Sequence, residues 1–178
     1  MAKLFKRLLA IDPGSSCGYA YIDIVYPTKI KPKIDGTKSG KWDLGQKSFE
    51  GGGVRLVKFR HHLKEMDPDM IVYEDTGAMR FKSSDAARIR NEFLGVLKCY
   101  CESSDPPIPF TAFHVSKIKI RATGKGNSGK DEMTKAANRE FGTKLQEKNS
   151  EKVGDDDIAD ALWLLDLALD KYWRGLDG

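Results

Sequence analysis

Apolar and polar positions divide this chain into short strands and longer helices. Leu8-Leu9-Ala10-Ile11 is an unbroken apolar run that ends on Asp12 and is closed by Pro13-Gly14. A run of that length bounded by turn residues predicts a strand over 6–12, buried on both faces and central in a sheet. Gly18 to Val25 is rich in β-formers and follows the turn closely, which predicts the return strand of a hairpin. Residues 26–38 carry Pro27, Pro32, Gly36 and the lysines 29, 31, 33 and 38, and predict an extended loop before a short strand at Ser39–Leu44. After Gly51-Gly52-Gly53, the stripe Val54, Leu56, Val57, Phe59, Leu63 and Met66 predicts a helix. Without a Walker lysine or a strand–GxGxxG–helix context, the glycine triplet carries little weight as a phosphate site.

Met70-Ile71-Val72-Tyr73 is a second apolar strand, and like the first it ends on a carboxylate, Glu74. Ser84 or Asp85 caps a long helix to about Tyr100, with Ala86, Ile89, Phe93, Val96, Leu97 and Tyr100 as its buried stripe. Pro109 to His114 predicts a further strand. Residues 115–130 contain Lys117, Lys119, Arg121, Lys125 and Lys130 and no acid, with glycines at 124, 126 and 129. They read as an open segment that could follow phosphates through backbone N–H groups and lysines, or as a solvated loop. Lys130 to Phe141 predicts a helix, 142–152 a loose polar stretch, and Gly154 onward a final apolar helix.

Composition sets limits on this α/β pattern. The 178 residues, 40% apolar, suffice for one core and predict a single domain over 1–178. The formal charge of +4 is unevenly spread: cations crowd 26–41 and 117–130, acids 151–160, which suits a polyanionic partner. Cys17, Cys99 and Cys101 match neither a metal finger nor an even disulfide set, and read as reduced packing residues. No signal-peptide pattern opens the sequence and no window is apolar enough to span a membrane, so a cytoplasmic protein without membrane contact is expected.

The chemistry lies in the acids. Asp12 at the end of a buried strand is costly unless a metal, a cation or hydrogen bonds compensate it, although an Asx turn before Pro13 would also account for it. Asp157 and Asp160 share one face of the last helix, and Asp156 with Asp160 nearly does. Acids in a first turn suit the helix dipole, but Asp160 lies deeper, among apolar residues. Neighbouring strands would set Asp12 beside Glu74 on one sheet edge, with the helix pair above them. Four carboxylates without His or Cys select a hard cation, Mg²⁺ or Mn²⁺, and two such ions ~3.5–4 Å apart suit in-line displacement at a phosphodiester.

Four segments, in order, resemble the RuvC-type Holliday junction resolvases: Leu-Leu-Ala-Ile-Asp-Pro-Gly-Ser-Ser-Cys-Gly-Tyr-Ala at 8–20, Ile-Val-Tyr-Glu at 71–74, Thr-Gly-Lys-Gly-Asn at 123–127, and Asp-Ile-Ala-Asp-Ala-Leu at 157–162. The resemblance implies a ribonuclease H-like mixed sheet of about five strands flanked by helices. It also implies a homodimer that nicks four-way DNA junctions with two Mg²⁺ ions per active site, Mn²⁺ substituting. The four metal-binding carboxylates fall on Asp12, Glu74, Asp157 and Asp160, with Asp156 an alternative to Asp157. Lys117, Lys119, Arg121, Lys125 and Lys130 would bind phosphates, with Arg80 and Lys82 near the crossover. The junction-stacking residue would be Phe81, with Met79 next. The long basic 26–38 loop and two extra residues after Glu74 depart from the family pattern and suit a divergent viral or organellar branch. Two other readings remain open: a ribonuclease H-like nuclease for forks, flaps or RNA–DNA hybrids, and a junction-binding protein without turnover. An actin-like ATPase needs two lobes, for which the chain is too short.

Overall fold

Five strands and five helices follow one another as β1 (Arg7–Asp12), β2 (Ser16–Asp23), β3 (Lys38–Asp43), α1 (Val54–Met66), β4 (Met70–Asp75), α2 (Ser84–Ser103), β5 (Phe110–His114), α3 (Val115–Thr123), α4 (Lys130–Phe141) and α5 (Asp156–Arg174). This is a computed structural model, and it describes residues 7–24, 36–75, 84–147 and 154–174. The expected loop at 26–38 and the residues Met79, Arg80, Phe81 and Lys82 therefore lie largely or wholly outside the described residues.

The sheet order is β3-β2-β1-β4-β5. β1, β2 and β3 are antiparallel neighbours, whereas β4 lies parallel to β1 and β5 parallel to β4. β1 is central, as its continuous apolar run requires. Its alternate residues enter different cores: Leu8 and Ala10 pack under α3, α4 and α5, while Leu9 and Ile11 pack with Phe59 and Leu63 of α1 and Phe93 and Leu97 of α2. Both faces are thus covered, and each fully buried Leu or Ile contributes about 1.5–3 kcal/mol relative to exposure.

Three local expectations need correction. Residues 115–123 are not open chain but helix α3, which buries Ile118 and Ala122 one turn apart. His114 caps that helix by accepting the Ser116 N–H at its Nδ1, so its role is local structure. Val57 in α1 is 70% exposed despite its place in the stripe. In α2, Ala86 is exposed while Arg90, one turn on, is buried. Cys17 and Cys101 are buried, as packing residues should be, whereas Cys99 is exposed and does not pack in the core; all three are free. Among the described residues no helix is long and apolar enough to cross a membrane.

Candidate active site

The parallel register of β1 and β4 pairs Ile11 with Tyr73, so the next residues along, Asp12 at the end of β1 and Glu74 one short of the end of β4, stand at the same rim. On the other side, Asp12 pairs with Gly18 of β2. The missing side chain of Gly18 makes room for the first turn of α5, because a Cβ there would come within 1.9 Å of the Asp157 carbonyl oxygen. This close approach brings the α5 acids over the strand ends. The start of α5 is held further by Lys41 of β3, whose Nζ donates to Gly154 O at 3.4 Å and Asp155 Oδ1 at 3.1 Å.

The four expected carboxylates act on one another. Burial raises the Asp12 carboxyl above its ordinary value; Arg90 opposes the rise and Asp157 adds to it. Burial and the Asp12 charge push Glu74 up to about 7, against Arg90, Lys130 and Lys119. Asp160 is raised well above the ordinary carboxylate range by burial, then by Asp12 and Glu74. Such mutual repulsion marks negative charge held together by the fold and short of positive charge.

The cations nearby are of two kinds. Lys130, at the start of α4, hydrogen-bonds Asp156 and lies 3.8 Å from Asp157. Burial works to lower its pKa, but the Asp156 hydrogen bond and the surrounding acids win and raise it. Asp156 is therefore occupied by Lys130, while Asp157 and Asp160 are the α5 acids acting on Asp12. Arg90 is the second cation. Sequence reasoning missed it, although an arginine on an apolar stripe, four residues after Ala86 and three before Phe93, was a readable signal. Its Nη1 donates to Asp12 Oδ1 at 3.1 Å and to Pro13 O at 2.9 Å, and its Nη2 to Glu74 O at 2.5 Å.

The donor set is all oxygen and suits a hard divalent cation in chemistry. Among the described residues, no three His, Cys, Asp or Glu side chains are gathered into a ready metal-holding group. In this structure Arg90 and Lys130 balance part of the negative charge.

The other expected site residues are spread over α3 and the turn after it. Lys117 and Lys125 are exposed, and Lys119 is half-buried and close enough to lower the pKa of Glu74. Arg121 donates from Nε to Asp166 Oδ2 at 2.5 Å and lies 3.9 Å from Asp170, so α5 acids engage its charge. The turn 124–129 is fixed by Thr123, whose hydroxyl bonds that of Ser128, and by Ser128 donating to Lys125 O at 3.1 Å.

No protein-family model matches the sequence. Solved structures do resemble it. The Thermus thermophilus RuvC structure in complex with a Holliday junction substrate superposes with a TM-score of 0.64 at 17% identity, covering 96% of this chain and 94% of that one. Thermus thermophilus RuvC alone gives 0.62 at 18% identity, over 97% and 96% of the two chains. The yeast mitochondrial Holliday junction resolvase Ydc2 gives 0.60 at 15% identity, over 98% of this chain and 85% of that one. The chain therefore has the mixed-sheet, ribonuclease H-like fold of the RuvC-type Holliday junction resolvases.

Proposed function

We propose that this protein is a structure-selective DNA endonuclease that resolves Holliday junctions by paired hydrolysis of phosphodiesters. The observation that supports the reading most is the register that sets Asp12 beside Glu74 on adjacent strands, with the first turn of α5 packed against Gly18 next to them, in a fold like that of the solved resolvases. Asp12, Glu74, Asp157 and Asp160 hold Mg²⁺, two ions per site, with Mn²⁺ able to replace it. The bound ions supply activation of the attacking water and stabilisation of charge on the leaving oxygen. Glu74 orients the water, and Lys130 keeps Asp156 engaged and places a cation beside the reacting phosphate.

Lys117, Lys119 and Lys125 receive the phosphates of the DNA arms. Arg121, tied to Asp166 and Asp170, orients α3 beneath them. Arg80, Phe81 and Lys82 meet the junction crossover, with Phe81 stacking on the opened bases. Symmetric nicking needs two copies, and the part-exposed flank of α2 carrying Ile89 and Val96 is the surface for a C2 dimer. A binding protein without turnover would gain nothing from four acids that repel phosphate, which favours the enzyme.

The test is to incubate the purified protein with Mg²⁺ and end-labelled four-way junctions and to map nicks on all four strands. Ligatable, symmetry-related nicks that vanish in Asp12→Asn, while the variant still binds the junction in Ca²⁺, support the reading. Cleavage of RNA–DNA hybrids or flaps in preference to junctions, or undiminished cutting by Asp12→Asn, overturns it.

A further inference from the structure

Arg90 is 8% exposed and lies in the first half of α2, yet its hydrogen-bond acceptors among the described residues stand at the ends of two strands, Asp12 and Glu74, and at Pro13 just past β1. One guanidinium spans the gap between them. Nη1 takes Pro13 O and Asp12 Oδ1, just past the turn that ends β1; Nη2 takes Glu74 O and lies 3.5 Å from Glu74 Oε1. The backbone ladder between these strands is paired through Ile11 and Tyr73, so the fork continues the connection beyond the last pair, where Asp12 and Glu74 stand. The planar fork suits this task. It directs N–H groups along fixed lines to two carbonyls and the Asp12 carboxylate, and sets its charge 3.5 Å from the Glu74 carboxylate, which a lysine's single nitrogen cannot do.

A purely structural role would need neither carboxylate. The apolar neighbours Phe93 and Leu97 already dock α2 on the sheet. A buried cation next to the rim is retained against its desolvation cost, and its main-chain anchors are Pro13 O, one residue past Asp12, and Glu74 O. Resting on the metal-dependent reading above, we propose that Arg90 is a positioning residue: it hydrogen-bonds one carboxylate oxygen of Asp12, holds the Glu74 main chain with its charge 3.5 Å from one Glu74 carboxylate oxygen, and thereby presents the remaining oxygens of the two acids as a fixed pair to a divalent cation. Its attachment to Pro13 O and Glu74 O keeps it in place when the cation arrives, so it orients the ligands and does not serve as a plug that must leave.

Three roles are separable by experiment. Arg90→Lys keeps the charge and loses the fork; Arg90→Gln loses the charge and keeps part of the hydrogen bonding. The measurements are Mn²⁺ binding by electron paramagnetic resonance on the full chain without DNA, thermal melting, and the KM and kcat for four-way junction cleavage. Partners of metal ligands typically alter affinity by about 10–100-fold. The expected result is that both variants weaken Mn²⁺ binding by about tenfold or more and lower kcat with KM little changed, at temperatures where both remain folded. Wild-type Mn²⁺ affinity in Arg90→Lys with tighter binding in Arg90→Gln would mean that Arg90 only tempers charge, and would overturn the proposal. A lowered melting temperature with unaltered Mn²⁺ binding and kcat would likewise overturn it in favour of plain support of the fold. Wild-type protein that binds no Mn²⁺ defeats the metal reading itself, and that outcome is distinguished because it appears before any variant is compared.

Discussion

Gly18 and Asp157 are in backbone contact: the space a side chain would take at Gly18 is already filled by the Asp157 carbonyl, 1.9 Å from a Cβ built there. Gly18 is also the residue paired across the ladder from Asp12. The glycine is therefore what lets the α5 acids come down on the end of β1. Gly18→Ala is expected to push the first turn of α5 away from the sheet, costing about 1–3 kcal/mol in stability as overpacking does. Cleavage should fall much further than stability, because a displacement of about 1 Å can cost on the order of 100-fold in rate. Urea unfolding together with junction cleavage below the melting temperature checks this. Parental values for both would show that the helix end has room to spare.

The legible part of this molecule was the part whose cause is local. β1 and β4 are apolar runs closed by turn residues, and a strand that ends on an acid needs no partner to be noticed. The Asp157–Asp160 pair is legible because three-residue spacing sets both acids on one face at the start of a largely apolar helix. Helix α3 was hidden by its cations and by the glycines after it, even though Ile118 and Ala122 carry the helical spacing. Gly18 and Arg90 were hidden for another reason. Their meaning lies in partners far along the chain: Asp157 for the glycine, and for the arginine the ends of two strands. No window of sequence contains both halves of either contact.

Glu74 makes the site's effect on stability testable through pH. In the unfolded chain its carboxyl loses its proton near 4.5, whereas in the fold burial and the Asp12 charge raise the value to about 7. Between those values the unfolded chain has released a proton that the native state still holds, so rising pH favours unfolding. Metal-free protein should lose stability on the order of 3 kcal/mol from this group between pH 4.5 and 7. Glu74→Gln should flatten that slope. Added Mg²⁺ should raise the melting temperature more at pH 7.5 than at pH 5, because a cation competes with the proton for the same oxygens. Calorimetric melts of both proteins across this range, with Mg²⁺ and with a chelator, provide the check. An equal Mg²⁺ effect at both pH values would remove Glu74 from the cation's ligands.

Asp155 titrates with the opposite sign. Its carboxylate accepts the Gln146 N–H at 3.0 Å and a Lys41 ammonium hydrogen bond at 3.1 Å, and these hold its pKa below the usual 3.8, the Gln146 bond contributing most. A depressed carboxyl stabilises the fold above its unfolded pKa, and that stability is lost as pH falls through the folded value. Asp155→Asn should therefore be less stable than the parent at neutral pH by about 1 kcal/mol, and the gap should close as the solution is acidified below 3.8. Because Lys41 and Asp155 tether the start of α5, the variant should also cut more slowly. Denaturant titrations of parent and variant at neutral and acid pH test it; a gap that persists in acid would mean that charge is not what the tether supplies.

Salt can sort the cations of α3 and the turn after it. A lysine that neutralises a phosphate releases a condensed counterion, so removing it lowers the steepness of log K against log salt by about 1. Lys117→Ala and Lys125→Ala, both at exposed positions, should each show that reduction for junction binding in Ca²⁺, with unchanged melting. Lys119→Ala should do the same and also raise the pH at which cleavage turns on, since Lys119 is among the charges that lower the Glu74 value. Arg121 differs because its guanidinium is already committed to Asp166 and Asp170, whose negative charge substitutes for that of the DNA. Arg121→Ala should leave the salt slope nearly intact and instead lower the melting temperature, since the hydrogen-bonded pair with Asp166 that ties α3 to α5 is lost. Fluorescence anisotropy from low to moderate salt gives the slopes. If Arg121→Ala reduced the slope as much as the lysine variants, the arginine would have to leave Asp166 for a phosphate when DNA binds, and α3 would be held in the complex by its apolar face alone.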